Sequence, residues 1–369
     1  MTNEVRFFDY RPEYELYRSE FEEAHRRVMS SGKLILGDEV CSLENEIARK
    51  SHMKHAIAVN SGTDALVISL MALGIKCGDE VITVANTAVP TVSAIRLCNA
   101  VPRFVDIDPT TLLMDLNLLK KSITSRTKAI IAVHLFGNAL NMQELMDLAD
   151  LHQIPVIEDC AQSQFTKWRG RDVGSFGKIA CYSFYPTKNL GAFGDGGMCL
   201  TNDDILGKDL RSKRMYGFLE GDQIAHTDGL NSRLDELQAA YLRVKLKHID
   251  TRLEKKTKLS QRYQEHLSGV PGVALLKSDP SVQHTNHLFV VRINSRDSIL
   301  KKLKERHIYA GVHYRHPIHL MPSLSFCGYK TGSLPHTESA CAEVLSLPMY
   351  PELSLESVDH VCSVLKEVL

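Results

Sequence analysis

Residues 180–200 read ACYSFYPTKNLGAFGDGGMCL. An apolar run, IACYSF, breaks at Pro186 and passes one lysine, Lys188. Four glycines then fall between Gly191 and Gly197, before a second apolar run, GMCLTN. Proline fixes φ and removes a donor, and clustered glycine admits backbone geometry that other residues resist. The pattern predicts a tight, backbone-rich turn between two buried strands, with Lys188 on it. A lysine held there is cut off from bulk water. Burial lowers its pKa and makes the amine a nucleophile, as a Schiff-base lysine requires. A solvated lysine on a glycine hairpin has the same local sequence, so the choice between them rests on the rest of the chain.

Upstream of this stretch, strand-like and helix-like runs alternate. AIAVN from Ala56 reads as a short buried strand, Ser61-Gly62-Thr63-Asp64 as a turn, and ALVISLMALGI as a helix. Strand, small hydroxyl-and-glycine turn, helix is an arrangement that offers free N–H groups and a positive helix end to an anion. An ordinary helix N-cap would use the same four residues. EVITVA, VPRFVDI, AIIAVHLFG and PVIEDCA follow as strands, with helices at TVSAIRLC, 116–123 and MQELMDLADLH between them. Such alternation means right-handed βαβ units and a mostly parallel sheet, whose sites gather at the carboxyl ends of the strands. Ser61-Gly62-Thr63, His134 and Glu158-Asp159 fall at such ends. Asp159 closes the apolar run PVIED, where a carboxylate caps a helix, forms a salt bridge or holds a cationic ring nitrogen. Gln162, three residues on, is placed to lean over the same site. His134 reads as a packed core histidine.

Further toward the N-terminus, 13–29 has the spacing of an amphipathic helix and 37–50 that of a surface helix. Downstream, 210–229 is polar and basic and reads as a mobile loop. The segment 234–267, opening with LDELQAAYLRVKL, reads as one long helix, with Asn231-Ser232-Arg233 at its start. HLFVVRI is then a strand, DSILKKLKERH a helix, 310–314 a strand and 357–368 a closing helix. The expected organisation is therefore α/β, with a large domain over 1–245 and a smaller α+β domain over 246–369, the boundary lying within the long helix.

Composition narrows the function. Lys+Arg and Asp+Glu both number 44, so the formal charge is zero, which argues against a nucleic-acid or anionic-membrane surface. The N-terminus, MTNEVRFFDYRPEYE, lacks the apolar core of a signal peptide, and no run approaches a membrane span. The nine cysteines form no CxxC pair, and several lie in apolar runs. They read as buried thiols of a cytoplasmic protein, with no zinc site or other metal. No GxGxxG follows the first strand and no GxxxxGK[ST] occurs, which disfavours a nucleotide-dependent oxidoreductase and a P-loop.

Four motifs in this order, NSGTDAL at 60–66, EDCAQS at 158–163, SFYPTKNLGAFGDGG at 183–197 and NSRLDELQAA at 231–240, resemble the nucleotide-sugar aminotransferases of the DegT/DnrJ/EryC1/StrS family, fold-type I pyridoxal 5'-phosphate enzymes. The resemblance runs from about Gly37 to Pro351. It implies a seven-stranded sheet sandwiched by helices and a homodimer with shared active sites. Lys188 would carry the cofactor and Asp159 would pair with its protonated ring nitrogen. Ser61, Gly62, Thr63 and Ser183 would bind its phosphate, helped by the Thr63 and Asp64 N–H groups. Gln162 would lie near its phenolic oxygen, and Asn231 would reach the phosphate in the neighbouring subunit. GVHYRHPIHL at 311–320 and SLPMYPEL at 346–353 are most similar to the branch that aminates C3 of dTDP-linked 3-keto-6-deoxyhexoses, with L-glutamate as amino donor, in amino-sugar biosynthesis for lipopolysaccharide or other glycans. Tyr185, His313 and Tyr314 would contact the sugar. Amination at C4, and a non-catalytic regulatory homologue that binds the cofactor, stay open as alternatives. The sequence departs from the family at Ala88, where an aromatic ring often covers the cofactor, at Gln164, where some relatives have histidine, and at Arg315-His316. Family members acting as dehydratases have histidine in place of the lysine, so Lys188 favours transamination.

Overall fold

The computed structural model describes residues 4–219 and 221–369. Seven strands, β1 (His55–Val59), β2 (Glu80–Val84), β3 (Val101–Val105), β4 (Thr127–Val133), β5 (Val156–Asp159), β6 (Ile179–Ser183) and β7 (Gly197–Thr201), form one sheet in the order β1-β7-β6-β5-β4-β2-β3. β6, β5, β4, β2 and β3 run parallel, while β7 lies antiparallel to both β1 and β6. Helices Gly62–Ala72, Val89–Leu97, Leu116–Ser122 and Met142–Leu151 connect the strands. β2, β5 and β7 are buried along their whole length, as strands covered on both faces must be. The expected α/β fold with a mostly parallel sheet is the one observed.

The parallel order sets the chemistry. Asp159 is the last residue of β5 and pairs in register with Cys181 of β6. The Lys188 turn leaves the same end of β6, so the two expected functional side chains come from adjacent parallel strands.

A second, antiparallel sheet joins Val273–Leu275, Phe289–Ile293 and Val344–Leu347. It packs with helices Ile249–Leu267, Arg296–Glu305 and Leu355–Val368 around its own buried cluster, in which Tyr263 stacks on Phe289 at 4.7 Å. Val5 is buried in this second cluster. Its N–H donates to His307 O at 2.9 Å and its carbonyl accepts from Tyr309 N at 2.9 Å. Phe7 then stacks on His313, with ring centres 5.5 Å apart.

Four local expectations need correction. The helix over 234–267 is two helices, Glu236–Lys247 and Ile249–Leu267. His248 leaves helical geometry between them, where its ring lies 4.1 Å from Tyr17 and 2.8 Å from a Glu20 oxygen. The segment 310–314 is not a strand. Only Gly311 pairs, with Ser346, and His313 and Tyr314 then line a cavity together with Asp159 and Lys188. Helix Asp204–Lys213 runs past Leu210, so the following loop starts later than expected. Cys41 and Cys77 are exposed on the surface, so not every thiol is buried. Among the described residues no helix is long and apolar enough to cross a membrane.

Candidate active site

The Lys188 turn is held from both sides. Phe184 N–H donates to Gly196 O at 2.8 Å, Ala192 N–H to Phe184 O at 2.7 Å, and Lys188 N–H to Tyr185 O at 2.9 Å. Gln164, almost fully buried, clamps its two ends: its amide donates to Ser183 O at 2.9 Å and its carbonyl accepts from Leu190 N–H at 2.8 Å. The amine of Lys188 is engaged by no hydrogen bond among the described residues. Burial draws it down to about 8, against the opposing pull of the Asp159 charge.

Asp159 is 5% exposed. Its carboxylate accepts from Thr91 Oγ1 at 2.8 Å and from Ala161 N–H at 3.1 Å, and no cation salt-bridges it among the described residues. Burial therefore outweighs these bonds and holds its pKa above the usual carboxylate value. Next to it, Glu158 is saturated. It accepts from Gly174, Phe176 and Gly177 N–H groups and from His134 Nε2 at 3.0 Å. Leu140 N–H donates to His134 Nδ1, so the ring is neutral, with its proton on Nε2. His134 is thus a core histidine. Although His134, Glu158 and Cys160 cluster within 4.8 Å, the histidine and carboxylate atoms are already engaged, so they are not a metal site.

Helix Gly62–Ala72 opens on Ser61, whose Oγ accepts from Asp64 N–H at 3.1 Å. That bond takes Asp64 N–H out of any anion site and leaves the Gly62 and Thr63 N–H groups without helical partners. The approach of Ser183 depends on glycine. A Cβ at Gly62 would lie 2.6 Å from Ser183 Cβ, and one at Gly197, paired with Ser183 across β6 and β7, would lie 2.2 Å from Ser61 O. Two bare backbones thus bring a helix N-terminus and a hydroxyl together.

A cavity of about 470 Å³ joins these parts. It is lined by Ser61, Gly62, Thr63 and Ser183, by Asp159 and Gln162, and by Tyr185, Lys188, His313 and Tyr314. Gln162 is fixed there: its carbonyl accepts from Phe136 N–H at 2.9 Å and its amide donates to Tyr314 OH at 2.7 Å. Asn231 is exposed and lies outside this cavity. Ala88 lines it with a methyl group only. Arg315 turns away to Asp297, at 2.6 Å, and His316 is exposed, so neither lines it.

The sequence reading missed several wall residues. Thr91 reads in the sequence only as part of a helix. Phe7 and Phe8 lie far away in sequence, and His287 reads as part of a strand. Only the hydroxyl of Thr91, in the first turn after Pro90, gave a local signal.

The profile described as the DegT/DnrJ/EryC1/StrS aminotransferase family matches residues 16–366. The chain belongs to that family. A dTDP-3-amino-3,4,6-trideoxy-alpha-D-glucose transaminase of Micromonospora megalomicea subsp. nigra is 40% identical over 366 residues, 98% of each chain. A pleiotropic regulatory protein of Geobacillus stearothermophilus is 42% identical over 365 residues, again 98% of each. The crystal structure of S. venezuelae DesV in complex with a ketimine intermediate superimposes with a TM-score of 0.96 at 40% identity, covering 99% of this chain and 98% of that one. The family match therefore covers the seven-stranded sheet, the Phe289–Ile293 strand and every residue lining the cavity except Phe7 and Phe8.

Proposed function

We propose that this chain is a pyridoxal-phosphate-dependent aminotransferase acting on a nucleotide-linked keto sugar. The acceptor is a dTDP-linked 3-keto-6-deoxyhexose aminated at C3, the donor is L-glutamate, and the active form is a homodimer. The observation that carries this reading is the buried Asp159 carboxylate, which has no salt-bridge partner among the described residues, sharing one cavity with the unengaged Lys188 amine.

The residues fit the cofactor. A protonated ring nitrogen would supply the cation Asp159 lacks, and the open helix end with Ser183 suits a phosphate. Lys188 would hold the cofactor's aldehyde carbon, and Gln162, fixed by Phe136 and Tyr314, would stand by its phenolic oxygen. Exposed Asn231 would serve the partner copy's phosphate. When bound, the group supplies an electron sink for negative charge at the carbon that loses or gains nitrogen. Asp159 keeps the ring nitrogen protonated. Lys188 Nζ takes a proton from the donor's α-carbon and, in the second half, returns one to the sugar carbon. Tyr185, His313 and Tyr314 would meet the sugar. The dTDP-sugar transaminase name of one relative supports the acceptor, and the regulatory name of another keeps a cofactor-binding sensor as the competing reading.

The test is glutamate-dependent amination of a panel of nucleotide-linked keto sugars. The expected result is 2-oxoglutarate formed in step with a C3 amino sugar, with parallel double-reciprocal lines because both substrates use one pocket in turn. Cofactor binding without turnover on any sugar would leave the sensor reading in place. Product aminated at C4 would correct the position alone.

A further inference from the structure

His287 leads into the Phe289–Ile293 strand, and its ring lines the cavity with Lys188 and His313. The residue is only 4% exposed. Its Nδ1 is enclosed without a partner, and no protein group among the described residues bonds its Nε2. Buried polar groups are nearly always paired, and Nδ1 is sealed off from any ligand, so Nε2, which no protein group engages, is the nitrogen left open to one. The backbone that carries the ring is also held in place. Its carbonyl accepts from the buried Lys256 Nζ at 2.9 Å, and the same ammonium reaches Asn189 Oδ1 at 2.7 Å, one residue from Lys188. One side chain thus fixes His287 relative to the reacting lysine.

The chemistry of the ring follows from its surroundings. Burial first, then the charges of Lys188 and Lys256, hold His287 well below the usual histidine range, so it is neutral at pH 7. Nε2 is the nitrogen a neutral ring offers to a ligand here, as a donor when it carries the proton. The adjoining wall is made by Phe7, Phe8, Leu288, His313, Tyr314 and Met349. Apart from Lys188, no lysine or arginine of this chain lines the cavity among the described residues. A carboxylate would find no fixed cation on this wall, whereas aromatic faces and neutral donors suit a ring of hydroxyls.

We propose that His287 is a substrate-binding residue that donates a hydrogen bond from Nε2 to a hydroxyl or keto oxygen of the sugar, and so serves the amino-accepting half of the reaction. This rests on the aminotransferase reading above. The two halves can be measured apart in the holoenzyme, by following the cofactor's absorbance after glutamate alone and then after keto sugar alone. Binding of the nucleotide-linked amino sugar is measured separately by calorimetry.

His287→Phe, which keeps ring volume and removes the donor, is expected to weaken amino-sugar binding about tenfold, the worth of one buried hydrogen bond. It should slow the sugar half at least tenfold more than the glutamate half. His287→Gln, whose amide nitrogen reaches a similar position, is expected to recover most of that binding, which a purely structural role would not produce. Equal losses in both halves, or unchanged sugar binding in His287→Phe, would overturn the assignment. If His287→Phe does not fold, His287→Gln decides: sugar binding close to that of the parent supports the assignment, and the loss expected of a residue with no donor overturns it. Parent enzyme that reacts with glutamate but with no keto sugar would instead remove the acceptor reading, and this proposal with it.

Discussion

Lys188 and Asp159 are each incomplete alone, and their pKa directions make a testable pair. The Lys188 amine titrates at about 8 in the folded, cofactor-free protein, against an ordinary value of 10.5. Its reaction with added pyridoxal phosphate should therefore rise with pH and reach half its plateau near pH 8, measured as the rate of visible absorbance gain. A profile still climbing steeply above pH 9 would contradict the burial argument. The sign of the stability effect follows too. Between about 8 and 10.5 the unfolded chain binds a proton that the folded chain has lost, so this lysine's cost falls as pH rises. Lys188→Met should stabilise the cofactor-free protein at pH 7, with the advantage shrinking toward pH 10, as read by denaturant titration. At this scale the sequence was legible where a residue type is rare in its setting, as with a lone lysine in a glycine-rich turn or an acid closing an apolar strand. It was silent on His287 and Phe7, because neither stands in a motif and only tertiary packing brings them to the cavity.

Elements meet at this site through bare backbone and remote caps. Gly62→Ala puts a methyl group 2.6 Å from Ser183 Cβ. Because the helix itself tolerates alanine, the variant should fold yet lose cofactor affinity by about 10²-fold or more, since one misplaced wall spoils a phosphate cradle. Titration of apoprotein with pyridoxal phosphate checks this, and parental affinity would show that the cradle lies elsewhere. Glu236 does comparable work for stability. Buried in the first turn of its helix, it accepts from the N–H groups of Gly37, Glu39 and Val40 at 2.8, 2.9 and 2.8 Å and so caps helix Asp38–Lys50 from outside. Glu236→Ala orphans three donors and should cost about 2–4 kcal/mol of unfolding free energy. The alternation of strands and helices was readable because the period changes from apolar runs to helical spacing. The break at His248 was not, since no glycine or proline marks it and the cause, Tyr17 with Glu20, lies over 200 residues away in sequence. The misread strand over 310–314 has the same origin: apolar residues placed to face Phe7 and the cavity look like strand residues.

For the whole molecule, a buried charge cluster ties the N-terminal helix to the C-terminal segment. Lys245 and Arg252 meet Glu13 at 2.9 and 3.1 Å, and Arg252 meets Glu352 at 2.5 Å. The first helix, the two helices flanking His248 and the C-terminal segment are thereby locked together. The proposed dimer has a direct test at this scale. A Lys188→Ala chain and an Asn231→Leu chain should each be inactive, yet a mixture allowed to exchange subunits should recover about a quarter of the parental sites. In the hybrid, one site carries both defects and the other neither. No recovery, with exchange shown by mass, would place Asn231 outside its partner's site. Asn231 is the residue a single chain explains least, because it is exposed and outside its own cavity.

The strap formed by Val5 and Phe7 carries a consequence for synthesis. The surface that receives it, His307 to His313, is made roughly 300 residues later, about 15–60 s at ordinary elongation rates. Until then Phe7 and Phe8 have no wall to complete and remain available to chaperones. The parallel sheet and its lysine can form on the nascent chain, but the cavity closes only once the last third has folded and drawn the first residues back. Cofactor retention on ribosome-bound chains stalled before residue 307 should accordingly be weak, and it should become firm only after the full chain is released.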